Sequence, residues 1–452
     1  MQRKRYHHNR KRNPMAIAPR PRAGRKTAPA HGKAIAAGAG VLALAAALGL
    51  FLWRPWAGEP APVSASAPGG ETITLAPATP GPGESRAQAG DATAGVWASE
   101  LDFQYLNQPC LYGDELLFSA GDGSIDKPVL SGLYLYSLKD GACQEVARTE
   151  IDNGEIYETQ FNAQYICYVD SDMAKNNVIY CIDRASGERT KIKECPNGKP
   201  KLRLAGDSLI WMEQTDENVD KLYLIDLKSQ ENIALATFED AATYGVSAPC
   251  ITDSAILWAA PDPDQSAQQR ETGEKSVIQI FQYLSESQVD EEGNLIFDSY
   301  APGTYVHEPV ACGDAIAWID ANKAPESKLY LSVGQGKAHL VDENVTAYAI
   351  GEGYLCYSRD EAIWAYRWAD GQYFRLSPEG QKAMLPAMAG KTVLWFDVTN
   401  LQEQKDQYCL QRLDCEGGMA AYRAELAAQA TPEPEATPET EPAPESTPQE
   451  DS

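Results

Sequence analysis

Histidine is scarce in this sequence, with five copies among 452 residues. Only His307 and His339 lie beyond the first fifty positions, and His339 falls in a predicted outer strand. The chain also lacks the Gly-x-Ser-x-Gly, His-Glu-x-x-His and phosphate-loop motifs of common hydrolases, zinc proteases and nucleotide sites. The sequence therefore predicts no catalytic residue and no cofactor. A Ser-His-Asp triad would have to use His307, which precedes a predicted strand.

Metal-ligand spacing is also absent. No pair of cysteines is separated by two residues, as zinc sites require. The segment Asp122-Gly123-Ser124-Ile125-Asp126 alternates oxygen ligands as calcium loops do, but it lacks the full loop and its distal glutamate. We therefore predict no metal site.

Basic charge is depleted after the first 54 residues. Those residues hold twelve of the 39 Lys and Arg and no acid, which leaves 27 basic against 64 acidic groups and a net charge of −37 for the rest. Nucleic-acid phosphates need a basic surface, so this composition argues against a nucleic-acid partner.

Charge is missing altogether from the twenty residues Ala34–Trp53. As a helix this segment spans about 30 Å, the thickness of a bilayer core. The basic residues 1–33 before it predict a cytoplasmic tail by the positive-inside rule. We expect a single-pass protein of the cell membrane whose remaining chain lies outside. A cleaved signal peptide, with Ala65-Ser66-Ala67 as the site, is the alternative.

Two further segments contain too few large apolar residues to form a core. Residues 54–95 are rich in Pro and Ala and predict an extended linker, and residues 426–452 predict a disordered, acidic, Pro-rich tail. Residues 96–425 remain as one folded domain.

One aromatic residue recurs in this domain at the end of a short apolar run. Successive copies lie 38 to 60 residues apart, the spacing of a four-stranded propeller blade. The sequence predicts an all-β fold with a single β-propeller, of seven blades, with six or eight as alternatives. The seven aromatic residues, which we call the aromatic column and expect to pack between blades, are Phe118, Tyr168, Trp211, Trp258, Trp318, Tyr357 and Trp395.

Two of the units carry a further pattern, in which the aromatic is followed by a loop, an Ile/Leu-Tyr-x-x-Asp run and a turn. Trp211 precedes Leu222-Tyr223-Leu224-Ile225-Asp226, and Tyr168 precedes Ile179-Tyr180-Cys181-Ile182-Asp183 with Ser186-Gly187. This repeat resembles that of the TolB-type propeller family. The resemblance implies an interaction module on the envelope side of the membrane, and binding in preference to catalysis.

Acidic residues recur two positions after the aromatic column, at the ends of the predicted second strands. These candidate ligand-rim residues are Asp170, Glu213, Asp320 and Asp397. Long second-to-third connections, including one predicted over Glu213–Lys221, place them near one face, where loops carry function on rigid scaffolds. A ring of carboxylates suits a cation, a basic peptide or an amino sugar. Acids that cap turns are the alternative interpretation.

The ten cysteines leave the redox state open. Their even number fits disulfides, and Cys409 and Cys415 flank a hairpin and are close enough in sequence to pair. Cys167 and Cys356 share one repeat position, and Cys181 and Cys409 share another. Equivalent positions in different blades instead favour small buried side chains.

These features together predict a non-catalytic binding or scaffolding module at the cell surface. Its partner would be a protein, a peptide or a glycan on the long-loop side, and its membrane contact the N-terminal helix. Two alternatives remain open from sequence alone: a propeller-type enzyme acting on glycans or peptides, and the outer part of a signalling complex.

Overall fold

The computed structural model describes 64–66, 72–74, 92–99, 101–107, 109–121, 129–216, 219–239, 247–262, 276–283, 295–300, 305–321, 327–334, 336–400 and 407–430. The predicted cytoplasmic tail, the segment 34–53 and the residues after 430 lie outside these ranges. Within them, no helix combines the length and apolar character needed to cross a bilayer.

The described residues form thirty-one strands and one helix. A short antiparallel pair comes first, β1 (Ser64–Ser66) and β2 (Thr72–Thr74), within the predicted linker. The strands of the first half are then β3 (Trp97–Ala98), β4 (Tyr105–Leu106), β5 (Cys110–Tyr112), β6 (Glu115–Gly121), β7 (Gly132–Ser137), β8 (Cys143–Arg148), β9 (Glu155–Phe161), β10 (Tyr165–Ser171), β11 (Asn177–Asp183), β12 (Arg189–Glu194), β13 (Lys201–Ala205), β14 (Ser208–Asp216), β15 (Val219–Asp226) and β16 (Asn232–Glu239).

The second half continues the same alternation and ends in a helix. Its elements are β17 (Cys250–Ile251), β18 (Ile256–Pro261), β19 (Ser276–Phe281), β20 (Asp298–Tyr300), β21 (Val306–Cys312), β22 (Ala315–Ala321), β23 (Ser327–Val333), β24 (His339–Glu343), β25 (Ala347–Gly351), β26 (Tyr354–Arg359), β27 (Ala362–Arg367), β28 (Gln372–Arg375), β29 (Ala383–Ala389), β30 (Thr392–Asp397), β31 (Gln407–Arg412) and α1 (Gly418–Ala430).

Seven antiparallel sheets follow one another along the chain, and each is a blade. Blade 1 is β4 to β8, with its first strand split between β4 and β5. Blades 2 to 6 take four consecutive strands each, from β9 to β28. Blade 7 is β29, β30 and β31, with β3 as its outermost strand. The predicted seven-bladed all-β propeller is confirmed.

The aromatic column lies on the second strand of every blade and is buried. All seven side chains are at most 1% exposed. In four blades the column residue stacks on the tyrosine directly opposite it on the third strand. The ring centroids of Trp211 and Tyr223, for example, are 5.1 Å apart, and the ring planes make an angle of 19°. Such cross-strand aromatic pairs stabilise a sheet beyond the area they bury. The packing role predicted for the column is confirmed.

Glycine supplies the turn between the first and second strands of blades 3 and 5. Gly206 and Gly313 have φ of 52° and 60°, a region that side chains with a Cβ rarely adopt. A Cβ at either position would meet nothing within 4 Å. Backbone conformation, and not crowding, therefore fixes glycine in the predicted Gly-Asp turns.

The ring closes through residues from both ends of the domain. Trp97 and Ala98 of β3 pair with Leu410 and Cys409 of β31. The helix α1 packs beside this closing strand, with the Arg423 guanidinium 4.0 Å from the centroid of the Trp97 ring. The Arg423 side chain also donates to the carbonyl of Leu138 in blade 1 (2.9 Å). The sequence did not indicate α1, which crosses the predicted domain boundary after residue 425.

Candidate binding face

The strand order places the second-to-third connections and the connections between blades on one face, which we call the long-loop face. The four predicted rim acids lie at this end of the second strands, on blades 2, 3, 5 and 7. Asp170 and Glu213 are buried, at 1% and 4% exposed, whereas Asp320 and Asp397 are half-buried. The acids thus occupy equivalent positions on four different blades.

In blades 2 and 5, the rim acid binds the connection that enters its own blade. Asp170 accepts hydrogen bonds from the Thr149 hydroxyl (2.5 Å) and from the backbone N–H of Glu150 (2.8 Å). Asp320 accepts one from the backbone N–H of Tyr305 (2.8 Å). Short polar side chains commonly satisfy loop donors in this way.

The rim acids of blades 3 and 7 make the same kind of contact. Glu213 accepts from the indole N–H of Trp211 (3.1 Å) and from the Cys195 thiol (2.7 Å). Burial is the main reason that the pKa of the Cys195 thiol is raised, and the neighbouring Glu213 carboxylate raises it further. Asp397 accepts from the Gln381 amide (2.8 Å). These contacts directly support the capping interpretation, while the ligand ring stays a prediction.

The connection within blade 3 differs from the sequence prediction. A long loop was expected over Glu213–Lys221, but β14 runs to Asp216 and β15 begins at Val219, with Asp216 and Val219 paired across the ladder. The predicted long loop is therefore wrong. The polar residues that suggested it continue the two strands as a hairpin, and two of them, Glu213 and Asp220, are buried.

A small apolar group lies on the long-loop face, separate from the cores between blades. Tyr105, Leu130 and Tyr157 are at most 9% exposed, and Met173 packs against them. We call these four residues the mouth cluster. They come from the first strands of blades 1 and 2 and from the second-to-third connections of the same blades.

The loop that carries Met173 is held by its own polar residues. The Asp172 carboxylate accepts hydrogen bonds from the backbone N–H groups of Ala174 (2.8 Å) and Lys175 (2.9 Å). Met173 itself has a φ of 65° and donates its N–H to the Ser171 hydroxyl (2.9 Å). Non-glycine residues with such a strained backbone cluster at functional sites.

Two titratable groups adjoin the mouth cluster. Glu155 is 7% exposed and accepts a hydrogen bond from the Tyr157 hydroxyl. The Lys199 ammonium lies 4.4 Å from the centroid of the Tyr157 ring, a cation–π distance. Desolvation raises the pKa of Glu155 and lowers that of Lys199. Opposed shifts of this kind cluster at functional sites, although structural networks also produce them.

The strands nearest the central axis contain further strained residues. Glu158, Glu308 and Leu385 have φ of 47°, 50° and 53°, and each lies where the register of a first strand shifts. Glu158 is 3.7 Å from Arg203, which belongs to the first strand of blade 3. Sequence analysis missed these positions and the mouth cluster. Nothing local marks a glutamate that will adopt a positive φ.

Of the two histidines of the domain, His307 is buried and His339 is half-buried. His307 lies in β21 opposite Ile319 and is 6% exposed. His339 lies in β24 with its ring 5.7 Å from that of Tyr366, and burial lowers its pKa. The outer-strand position predicted for His339 is confirmed.

Metal ligands do not converge in the described part of the chain. There, no three His, Cys, Asp or Glu side chains are grouped to hold a metal ion. The calcium-like segment between Asp122 and Asp126 lies outside the described residues.

A cavity of about 200 Å³ lies on the flank of the ring beside the closing segment. Its lining includes Tyr354, Arg367 and Arg412. Each arginine already pairs with a carboxylate, Arg367 with Asp370 (2.6 Å) and Arg412 with Asp414 (2.6 Å). The cavity therefore offers no uncompensated positive charge to an anion.

No protein-family model matches this chain, and no curated protein matches it. Among solved structures, it is similar to the β-propeller domain of the Trilobed protease from Pyrococcus furiosus, with a TM-score of 0.48 and 16% identity over 66% of this chain and 90% of that one. It is also similar to TolB from Acinetobacter baumannii, with a TM-score of 0.34 and 14% identity over 62% and 59% of the two chains. The acylaminoacyl peptidase of Pyrococcus horikoshii gives a TM-score of 0.46 and 13% identity over 68% and 50%. Similarities at this level assign neither a family nor an activity to the chain.

Proposed function

We propose that this protein is a membrane-anchored, extracytoplasmic β-propeller that binds a partner on its long-loop face without transforming it. One observation carries the proposal: the mouth cluster, with Glu155 and Lys199, forms an aromatic and charged group outside the cores between blades. Aromatic side chains beside a few placed polar groups are the usual composition of a recognition site.

The contacts within this group suggest the class of partner. The Lys199 ammonium already occupies the face of Tyr157, next to the Glu155 carboxyl group. A second primary ammonium, from a basic peptide or an amino sugar, could contact the same face of the Tyr157 ring and pair with the same Glu155 carboxylate. The half-buried rim acids Asp320 and Asp397 add negative potential on that face. The ligand would therefore compete with Lys199.

The full chain in lipid nanodiscs tests this idea. It is titrated by calorimetry with oligomers of glucosamine and with lysine-rich peptides, and the same ligands with acetylated amines serve as controls. We expect saturable binding that acetylation abolishes. Lys199→Ala should tighten binding about tenfold, since it removes the internal competitor, and Glu155→Gln should weaken it by a similar factor.

A matched control is available on the opposite face of the ring. Lys228 is an exposed lysine in a third-to-fourth hairpin, paired with Asp207 (2.6 Å). Lys228→Ala should leave binding unchanged. If Lys199→Ala and Lys228→Ala behave alike, or if acetylated ligands bind as well as free amines, the ammonium site at the mouth is wrong.

The orientation in the membrane has its own test. Cys143 is an exposed thiol on the outer strand of blade 1. A membrane-impermeant maleimide applied to intact cells should label the protein, and Cys143→Ser should remove most of that label. Labelling that requires prior permeabilisation would contradict an extracytoplasmic propeller.

A further inference from the structure

The thiols of Cys167 and Cys181 face each other inside blade 2. Their sulfur atoms are 3.1 Å apart, and the two residues are directly opposed across β10 and β11. Both are buried, at 0% and 5% exposed. Cys195, which directly follows blade 2, donates its thiol to Glu213 and does not join the pair.

The ladder gives the pair a geometry that a disulfide can use. Arg184 donates its N–H to the carbonyl of Gln164, and Asp172 to that of Asn176, so hydrogen-bonded pairs fall at even positions of β10. Cys167 and Cys181 therefore form a non-hydrogen-bonded pair, in which Cα atoms lie about 4.5 Å apart. This separation falls within the range that disulfides span, about 4.4 to 6.8 Å.

Repeat equivalents of the two cysteines lack this arrangement. Cys356, the equivalent of Cys167 in blade 6, faces Ala365. Cys409 faces the column residue Trp395, as Tyr180 faces its own column residue, so the predicted equivalence of Cys181 and Cys409 is wrong. A small side chain opposite the cysteine thus suffices in blade 6. Only in blade 2 does the described ladder bring two thiols together across a non-hydrogen-bonded position.

We propose that Cys167 and Cys181 are a site of oxidative modification that closes as a cross-strand disulfide, with a small-molecule or protein disulfide as the oxidant. One thiolate attacks the external disulfide, which forms a mixed disulfide and releases one thiol. The second thiolate attacks the protein sulfur of that mixed disulfide and releases the other thiol. The protein loses two protons and two electrons, and the external disulfide gains them as two thiols.

The burial of the pair determines when the exchange takes place. Burial raises the pKa of Cys167 well above its ordinary value, and thiolates are the attacking species. No external disulfide reaches the interior of the closed ring. The bond therefore forms before the ring closes, while β10 and β11 are an exposed hairpin. The two cysteines are only fourteen residues apart in the chain, which keeps their thiols close at this stage.

Refolding in a redox buffer tests the proposal. The full chain is denatured, reduced, and refolded with a mixture of reduced and oxidised glutathione. Free thiols are then blocked with N-ethylmaleimide under denaturing conditions, and the peptides are mapped by mass spectrometry. We expect a linked peptide pair containing Cys167 and Cys181 and a blocked Cys356. Recovery of both Cys167 and Cys181 as blocked thiols in the refolded protein would overturn the proposal.

A stability measurement provides an independent readout. A disulfide that closes a loop of this length stabilises mainly through the unfolded chain, so the oxidised protein should melt on the order of 5 °C above the reduced one. Cys181→Ser should abolish this difference and leave Cys167 blocked, whereas Cys356→Ser should preserve it. An equal effect of the two substitutions would contradict the assignment.

Discussion

The Arg359 guanidinium donates to the Asp342 carboxylate across 2.5 Å, joining the second strand of blade 6 to the outer strand of blade 5. Asp342 is completely buried, and Arg359 is 22% exposed on its side chain. Arg359 occupies the position at which four other blades carry a rim acid. Blade 6 thus carries a positive charge where four other blades carry a negative one. This charge joins blade 6 to blade 5.

Replacing Arg359 with Ala should lower the free energy of unfolding by about 3 kcal/mol, because a buried carboxylate then loses its counter-charge. Urea denaturation would measure the change. Arg148→Ala provides the matched control, since it removes an arginine from an exposed pair with Glu145 and should cost less than about 1 kcal/mol. Equal costs at the two arginines would contradict a specific joint between blades.

The column tryptophans should differ in how they tolerate phenylalanine. The Trp211 indole N–H donates to buried Glu213, whereas the indole N–H of Trp318 is buried with no hydrogen-bond partner. Trp211→Phe should therefore lower the free energy of unfolding by about 1–3 kcal/mol more than the lost volume alone would. Trp318→Phe should show no such additional loss.

Alanine at either position gives the reference value. Removing the whole indole from the core should cost about 3–5 kcal/mol at both Trp211 and Trp318. Thermal melting that does not change in either alanine variant would contradict the packing role of the column.

The pH dependence of stability should identify Glu155 as a destabilised carboxylate. Burial raises its pKa in the folded state above the ordinary value of 4.5, so the fold favours the protonated form. Its contribution is complete below pH 4.5 and is lost as the pH rises through the raised value. Glu155→Gln should therefore become more stable relative to the original protein as the pH rises from 4.5 through the raised pKa.

Urea titrations at several pH values would measure this difference. Glu194→Gln is the control of opposite sign, because the hydrogen bond from Lys191 lowers the pKa of that exposed glutamate. Its relative stability should change little, and in the other direction. Parallel stability curves for Glu155→Gln and the original protein would show that the Glu155 carboxyl group is not strained by burial.

Two truncations separate the closing strand from the residues before it. Removing residues 1–91 retains β3 and should leave thermal melting unchanged. Removing residues 1–99 deletes the partner of Leu410 and the half-buried Trp97, at a cost of about 3 kcal/mol. The longer truncation also bares the edge of β31, so we expect it to self-associate in sizing experiments. Identical behaviour of both proteins would mean that the ring does not need β3.

The ring of seven blades was predictable because its determinants are local and repeated. Each column aromatic, such as Trp258, ends an apolar run that must be buried, and the interval between copies equals one blade. The position of the rim acids at strand ends followed from the same pattern. Their partners, such as Thr149 for Asp170, did not, because those contacts are set by how each connection folds back.

The remaining features depend on residues that are remote in sequence. The closing strand contains two residues and shows no periodic pattern of its own. Glu155, Tyr157 and Lys199 meet only because blades 2 and 3 are adjacent. The opposition of Cys167 and Cys181 follows from the register of one hairpin, and the sequence offered the alternative of a Cys409–Cys415 pair.

The pairing of Trp97 with Leu410 also governs how the protein is made. Roughly 310 residues separate the two strands that close the ring, and a ribosome adding about 5–20 residues each second delivers them tens of seconds apart. Among the strands of the ring, β3 emerges first and must therefore remain unpaired until the last blade has been synthesised. Blades 1 to 6 can form in order during this interval, while β31 gains its outer neighbour only at the end. Closure of the ring is then the last step of folding, since contacts this distant along the chain form late.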